Sequence, residues 1–185
     1  LVFEGAHVPY ASLSPETAAH AITTTSATKA FNMPGLKCAQ LVFSNPADLD
    51  LWRDKGFFIG HGASTPGKLA TIAAYNSGEP WRQQVLGYLR DNRDLLTELL
   101  EEHLPGVFWL PPEGTYLGWL DAKALGHGER TAEFFLSQAR VALVEGAQCG
   151  EGSEGFVRMN FALPRPILVE AIKRMGQAAS KADGL

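Results

Sequence analysis

The longest single pattern in the chain runs from Glu79-Pro80-Trp81 to Pro105-Gly106, and it is helical. Val85, Leu89, Leu95, Leu96, Leu99 and Leu100 recur at the spacing that gathers apolar side chains on one face of an α-helix. Proline in the first turn opens such a helix, and the Pro-Gly pair stops it near His103. A helix this long is expected to connect two domains, residues 1–78 and residues 79–185, the second beginning with the helix itself. Upstream, 19–28 and 38–44 read as strands, one rich in threonine and the other a short apolar run. Asn45-Pro46 reads as a helix cap and first turn, with the helix ending near Gly56; a loop at 60–67 and a helix at about 66–76 follow. Downstream, the pattern predicts strands at 107–110, 116–121, 141–145 and 156–162, with helices at 131–139 and 164–180. No internal repeat interrupts this order, and the class is α/β.

Lys29 carries the most chemical information. It follows the hydroxyl-rich run Thr23-Thr24-Thr25-Ser26-Ala27-Thr28, so it reads as a lysine at a strand end, and Asn32-Met33-Pro34-Gly35-Leu36-Lys37 then turns the chain. A lone lysine reads as a solvated loop residue, but the ordered set Ser26, Lys29, Asn32, Gly35 and Lys37 suits a phosphate-bearing aldehyde, pyridoxal 5'-phosphate. An amine condenses with an aldehyde only when unprotonated, which asks for a partly dry site or nearby positive charge. Ser26 and Lys37 could supply a hydrogen bond and a counter-charge to the phosphate, and Gly35 would keep the turn tight.

Composition narrows the classes. The net charge is -4 with no basic block, which argues against nucleic acid as a partner. No apolar run approaches the ~20 residues of a membrane span and no signal peptide is visible, so a cytoplasmic location is expected. Cys38 and Cys149 form neither a disulfide framework nor a zinc pattern, and the five histidines lack metal-ligand spacing. Cys38 reads as a small buried thiol that could line the site, His61 as part of a surface loop and His127 as part of a turn.

From Thr25 to Gln40 the sequence resembles the cofactor-lysine signature of the fold-type I pyridoxal-phosphate enzymes, the class I/II aminotransferase superfamily, and most resembles the MalY/PatB-like cystathionine β-lyase branch. Three further stretches support the resemblance: Gly5-Ala6-His7-Val8-Pro9-Tyr10-Ala11-Ser12-Leu13, Glu113-Gly114-Thr115-Tyr116-Leu117-Gly118-Trp119-Leu120-Asp121, and Gly155-Phe156-Val157-Arg158-Met159-Asn160-Phe161-Ala162. It implies the last strands of a large cofactor-binding domain in 1–78 and a small α+β domain in 79–185. It also implies that the family's glycine-rich phosphate loop, its ring-stacking aromatic and its ring-pairing aspartate lie upstream of Leu1, so that the chain reads as a carboxyl-terminal half.

The resemblance assigns roles. Lys29 would be the imine lysine and general base, while Ser26 and Lys37 would hold the phosphate. Ser64 and Thr65 would reach a phosphate across a homodimer interface, and Tyr116 would wall the pocket for a small amino-acid substrate. Arg158, on periodicity alone an arginine on the exposed face of a strand, would grip the substrate α-carboxylate. The implied reaction is β-elimination from a sulfur amino acid such as cystathionine, giving thiol, pyruvate and ammonia. Two alternatives stay open: an aminotransferase using the same residues, and a catalytically silent folded fragment.

Overall fold

The computed structural model describes residues 1–56 and 58–182. Two compact units divide the chain: Gly5–Val85, and Leu86–Leu185 together with the first four residues, Leu1–Glu4.

In the Gly5–Val85 unit, Ser14 opens the short helix α1 (Pro15–Ala19) through a reciprocal cap. Its hydroxyl accepts from the Thr17 amide at 3.2 Å, and Thr17 Oγ1 accepts from the Ser14 amide at 3.0 Å. The strand expected at 19–28 is therefore shorter, β1 (Ile22–Thr25). Ser26 ends it by capping a single helical turn, α2 (Ala27–Ala30), where its Oγ accepts from the Thr28 amide at 3.1 Å. Serine and threonine serve caps as readily as threonine serves strands, so the hydroxyl-rich run hid the break. Lys29 accordingly sits within α2 and not at a strand end. The second strand, β2 (Gln40–Phe43), pairs antiparallel with the first, Ile22 opposite Phe43 and Thr25 opposite Gln40. Asn45 caps α3 (Pro46–Lys55) as its sequence predicts, accepting from the Asp48 amide at 2.9 Å. A 3₁₀ turn at Ile59–Gly62 leads to α4 (Thr65–Ser77), and α5 (Glu79–His103) starts after Gly78.

In the second unit α5 buries Leu86, Leu89, Leu96, Leu99 and Leu100. The apolar stripe stands, with Val85 and Leu95 only half-buried and Asn92 fully buried in its middle. The Asn92 side-chain amide donates to the carbonyls of Phe161 at 2.9 Å and Leu163 at 2.8 Å. The helix packs with a four-stranded antiparallel sheet made of β3 (Phe108–Trp109), β4 (Leu117–Asp121), β5 (Val144–Glu145) and β6 (Phe156–Asn160), in the spatial order β3-β4-β6-β5. Gly118, Leu120, Val157 and Met159 form its buried face, in a core shared with Phe135, Phe161, Leu168, Ile172 and Met175. Where one helix was expected over 131–139, α6 (Thr131–Phe134) passes into a π turn, Phe135–Ala139, that stops at Arg140 with φ +55°. The last helix, α7 (Arg165–Ala182), runs close to α5: a Cβ at Gly176 would stand 2.3 Å from the His103 carbonyl oxygen. The first residues join this unit through Phe3 N–H to the Glu113 carbonyl at 2.7 Å, Thr115 N–H to the Leu1 carbonyl at 2.8 Å, and Arg90 Nη2 to the Phe3 carbonyl at 2.9 Å.

Candidate active site

The hydroxyl-rich run, the turn after it and β2 enclose a cleft of about 680 Å³ in the Gly5–Val85 unit. Ser26, Thr28 and Lys29 line it from one side, Lys37 and Cys38 from the turn, and Trp52, Ile59 and Gly60 from α3 and the loop beyond. Its volume is in the range of small-molecule sites. Lys29 is exposed here, and so is Lys37. The cleft thus holds a primary amine and a second cation with hydroxyls beside them, a donor set that fits an aldehyde carrying a phosphate.

The local supports of Lys29 come from side chains that sequence reading passed over. Phe31, two residues on, stacks on Trp81 with centroids 5.9 Å apart and meets Tyr75 edge-on at 6.5 Å. A Cβ at Gly78 would come within 2.5 Å of the Phe31 ring, so the ring seats on bare backbone. Ser26 reaches across to the strand partner: its Oγ lies 2.8 Å from the Cys38 carbonyl and 2.8 Å from Thr28 Oγ1. A serine hydroxyl has one proton, so donation to Cys38 leaves none for a phosphate unless that bond is given up. Cys38 itself is buried.

Gly35 is not what tightens the turn. It has no positive φ and nothing crowds its α-carbon, whereas Asn32 and Lys37 adopt left-handed backbone with φ +50° and +49°. The glycine marked a turn correctly, but a glycine's identity does not say which residue takes the left-handed position. Ser64 lies outside the cleft's lining and caps α4, accepting from the Gly67 amide at 3.0 Å, and its hydroxyl donates to the Leu36 carbonyl. Thr65 is exposed at the start of the same helix. His61 falls in the 3₁₀ turn between its two glycines.

In the other unit, Arg158 is half-buried on β6, on the sheet face opposite the core. It stands across from Trp119 on β4 and Val144 on β5. Among the described residues it has no hydrogen bond or ion pair, so its fork of donors is uncommitted. Trp119 stacks on Phe156 at 5.4 Å and 14°, and Lys123 Nζ lies 4.4 Å from the Phe156 centroid. Tyr116 is half-buried just before β4, its carbonyl accepting from the Phe161 amide at 3.0 Å. Among the described residues no group of His, Cys, Asp and Glu side chains could hold a metal ion, and no helix is long and apolar enough to cross a membrane.

Comparison with known proteins places these features in a family. The model of aminotransferase class I and II matches residues 1–175. The chain belongs to that family. It is 41% identical over 192 residues to a Mycobacterium leprae protein provisionally named cystathionine beta-lyase, covering 96% of this chain and 47% of that protein. It is 38% identical over 175 residues to a Corynebacterium glutamicum cystathionine beta-lyase, covering 95% and 47%. The crystal structure of a provisionally assigned PLP-dependent beta-cystathionase from Corynebacterium diphtheriae superimposes with a TM-score of 0.93 at 42% identity, over 97% of this chain and 48% of that one. The α/β fold expected from the sequence is therefore that of the pyridoxal-phosphate-dependent transferases. The chain spans about half the length of the curated relatives it matches.

Proposed function

We propose that the whole protein is a pyridoxal-phosphate-dependent C–S β-lyase that acts on a sulfur amino acid such as cystathionine, with Lys29 as its catalytic residue. The observation that carries the reading is one cleft lined by Lys29, Lys37 and neighbouring hydroxyls in a chain whose relatives bear lyase names. When bound, the cofactor supplies an electron-withdrawing ring that spreads the charge developing at the substrate Cα. Lys29 Nζ would hold the aldehyde and, when free, would take the substrate Cα proton, a role worth ~10²–10⁴-fold in rate. Lys37 is the point charge for the phosphate, since Ser26 donates there only by releasing Cys38. Arg158 is the fork for the α-carboxylate, and by fixing that group it aligns the Cα–H bond for removal. Tyr116 is a wall of the substrate pocket. The C–S bond breaks, the sulfur leaves as thiol, and water releases the remainder as pyruvate and ammonia.

Residues 1–78 are proposed as part of the cofactor-binding domain and 79–185 as connecting helix and small domain, in a cytoplasmic homodimer where Thr65 faces the partner's phosphate site. An aminotransferase would use Lys29 and Arg158 alike but return the proton to the cofactor. Incubation of the whole protein with cystathionine and no added 2-oxo acid separates the two. Steady pyruvate release is expected; amino-group transfer only on adding a 2-oxo acid would replace the lyase reading. A whole protein that does neither and binds no cofactor would be a silent module.

A further inference from the structure

We infer that Ser64, together with Gly67, is a positioning residue for Lys37: it fixes the backbone turn that aims the second cation of the cleft. The inference rests on the proposed role of Lys37 toward a phosphate, and reassigns Ser64 from a phosphate contact across an interface to a support within its own chain.

Two consecutive carbonyls of the turn end on one residue of another element. The Ser64 hydroxyl donates to the Leu36 carbonyl, and the Ser64 amide donates to the Lys37 carbonyl at 3.3 Å. The same hydroxyl accepts from the Gly67 amide at 3.0 Å, so its proton is committed to Leu36 and its lone pair to the helix cap. Nothing remains to donate to a phosphate. Gly67 makes the approach possible: a Cβ there would stand 2.3 Å from the Leu36 carbonyl oxygen and 2.9 Å from Cys38 Cβ. On the other side of the same three residues, Ser26 holds the Cys38 carbonyl at 2.8 Å while capping the turn that carries Lys29. Residues 36–38 are thus gripped by one hydroxyl from α4 and one from the Lys29 turn.

The strain sits on the cation. Lys37 has φ +49°, a conformation that costs any residue with a Cβ and persists only where its surroundings over-determine it. A glycine at 37 would make the turn without that cost, while the glycine present, Gly35, takes no unusual conformation. A turn needed for shape alone would put glycine where the left-handed residue is. The arrangement instead spends α4's cap on holding a charged side chain in one direction.

The test is equilibrium titration of the whole protein with pyridoxal 5'-phosphate and, separately, with pyridoxal, which lacks the phosphate, each read by absorbance. Ser64→Ala should weaken pyridoxal 5'-phosphate about tenfold and leave pyridoxal unchanged, and Ser64→Thr should restore the difference. Gly67→Ala should act in the same direction, and it carries the test if Ser64→Ala does not fold. In a Lys37→Met background Ser64→Ala should cost almost nothing further, because both act through one group. Equal losses for the two ligands would reduce Ser64 to general scaffold. A phosphate-specific loss that adds to Lys37→Met would mean that Ser64 contacts the phosphate itself, and either result overturns the inference. Failure of the underlying reading looks different: Lys37→Met alone would leave the preference for the phosphorylated ligand intact.

Discussion

Arg158 stands half-buried between Trp119 and Val144, with no acidic partner among the described residues. A half-buried guanidinium without a protein partner keeps its donors for water or an anion, and the carboxylate reading names the anion. In the whole protein Arg158→Lys keeps the charge and loses the planar fork. Catalytic efficiency should fall at least about tenfold while cofactor absorbance persists, since a charged hydrogen bond is worth ~1.5–3 kcal/mol. Steady-state kinetics with cystathionine decide it, and unchanged efficiency would return Arg158 to the strand surface. For Lys29, borohydride reduction of the loaded protein should leave the pyridoxyl mass on the Lys29 peptide. Label on Lys37, Lys55 or Lys68 instead would move the amine. The spacing of Lys29 and Lys37 was legible because both belong to one local turn. The supports were not, because Ser64, Gly67, Phe31 and Trp81 meet that turn only through the fold, and no periodicity links residue 36 to residue 64.

Helix α5 shows the same limit from the opposite side. Its leucine stripe is visible in the sequence, while nothing there marks Asn92, whose side-chain amide donates to two carbonyls past the end of β6. Asn92→Ala would leave the Phe161 and Leu163 carbonyls without this donor, and chemical denaturation should show a loss of about 2–4 kcal/mol. A loss under about 0.5 kcal/mol would mean that water replaces the amide. The first turn of α5 carries a pH dependence. Hydrogen bonds from Arg82 and then Gln83 lower the Glu79 pKa from its ordinary 4.5 to about 2. A carboxylate depressed in the folded state stabilises it fully above the unfolded pKa, and that contribution fades as pH falls from 4.5 toward 2. The stability gap between wild type and Glu79→Gln should therefore narrow across that window and stay flat above it; a gap that widens on acidification would refute the assignment. Because the pair is exposed, added salt should shrink it. Other boundaries escaped for local reasons. The cap at Ser26 shares its residue types with a strand, and the π turn at Phe135–Ala139 keeps the apolar spacing of an ordinary helix.

Across the whole molecule, large apolar side chains are displayed on the Gly5–Val85 unit. Leu69, Ile72 and Tyr75 follow one face of α4 at 64, 57 and 54% exposure, and Ile22 and Val42 are each half uncovered on the two-stranded sheet. A patch of that kind rarely stays bare in water. The 185-residue chain by itself should bind a hydrophobic dye and sediment above monomer mass, and Leu69→Lys with Ile72→Lys should lower both signals. Sedimentation as a monomer without dye binding would contradict this. The order of the chain adds a consequence for synthesis. Leu1, Phe3 and the arginine that holds Phe3 are complete long before Glu113 and Thr115, the backbone partners that the first residues need. On a ribosome, Gly5–Val85 is therefore translated while Leu1–Glu4 still lack these backbone partners. Leu1–Glu4 are thus translated before Gly5–Val85 and placed only after it, so the later unit should close more slowly than the earlier one forms.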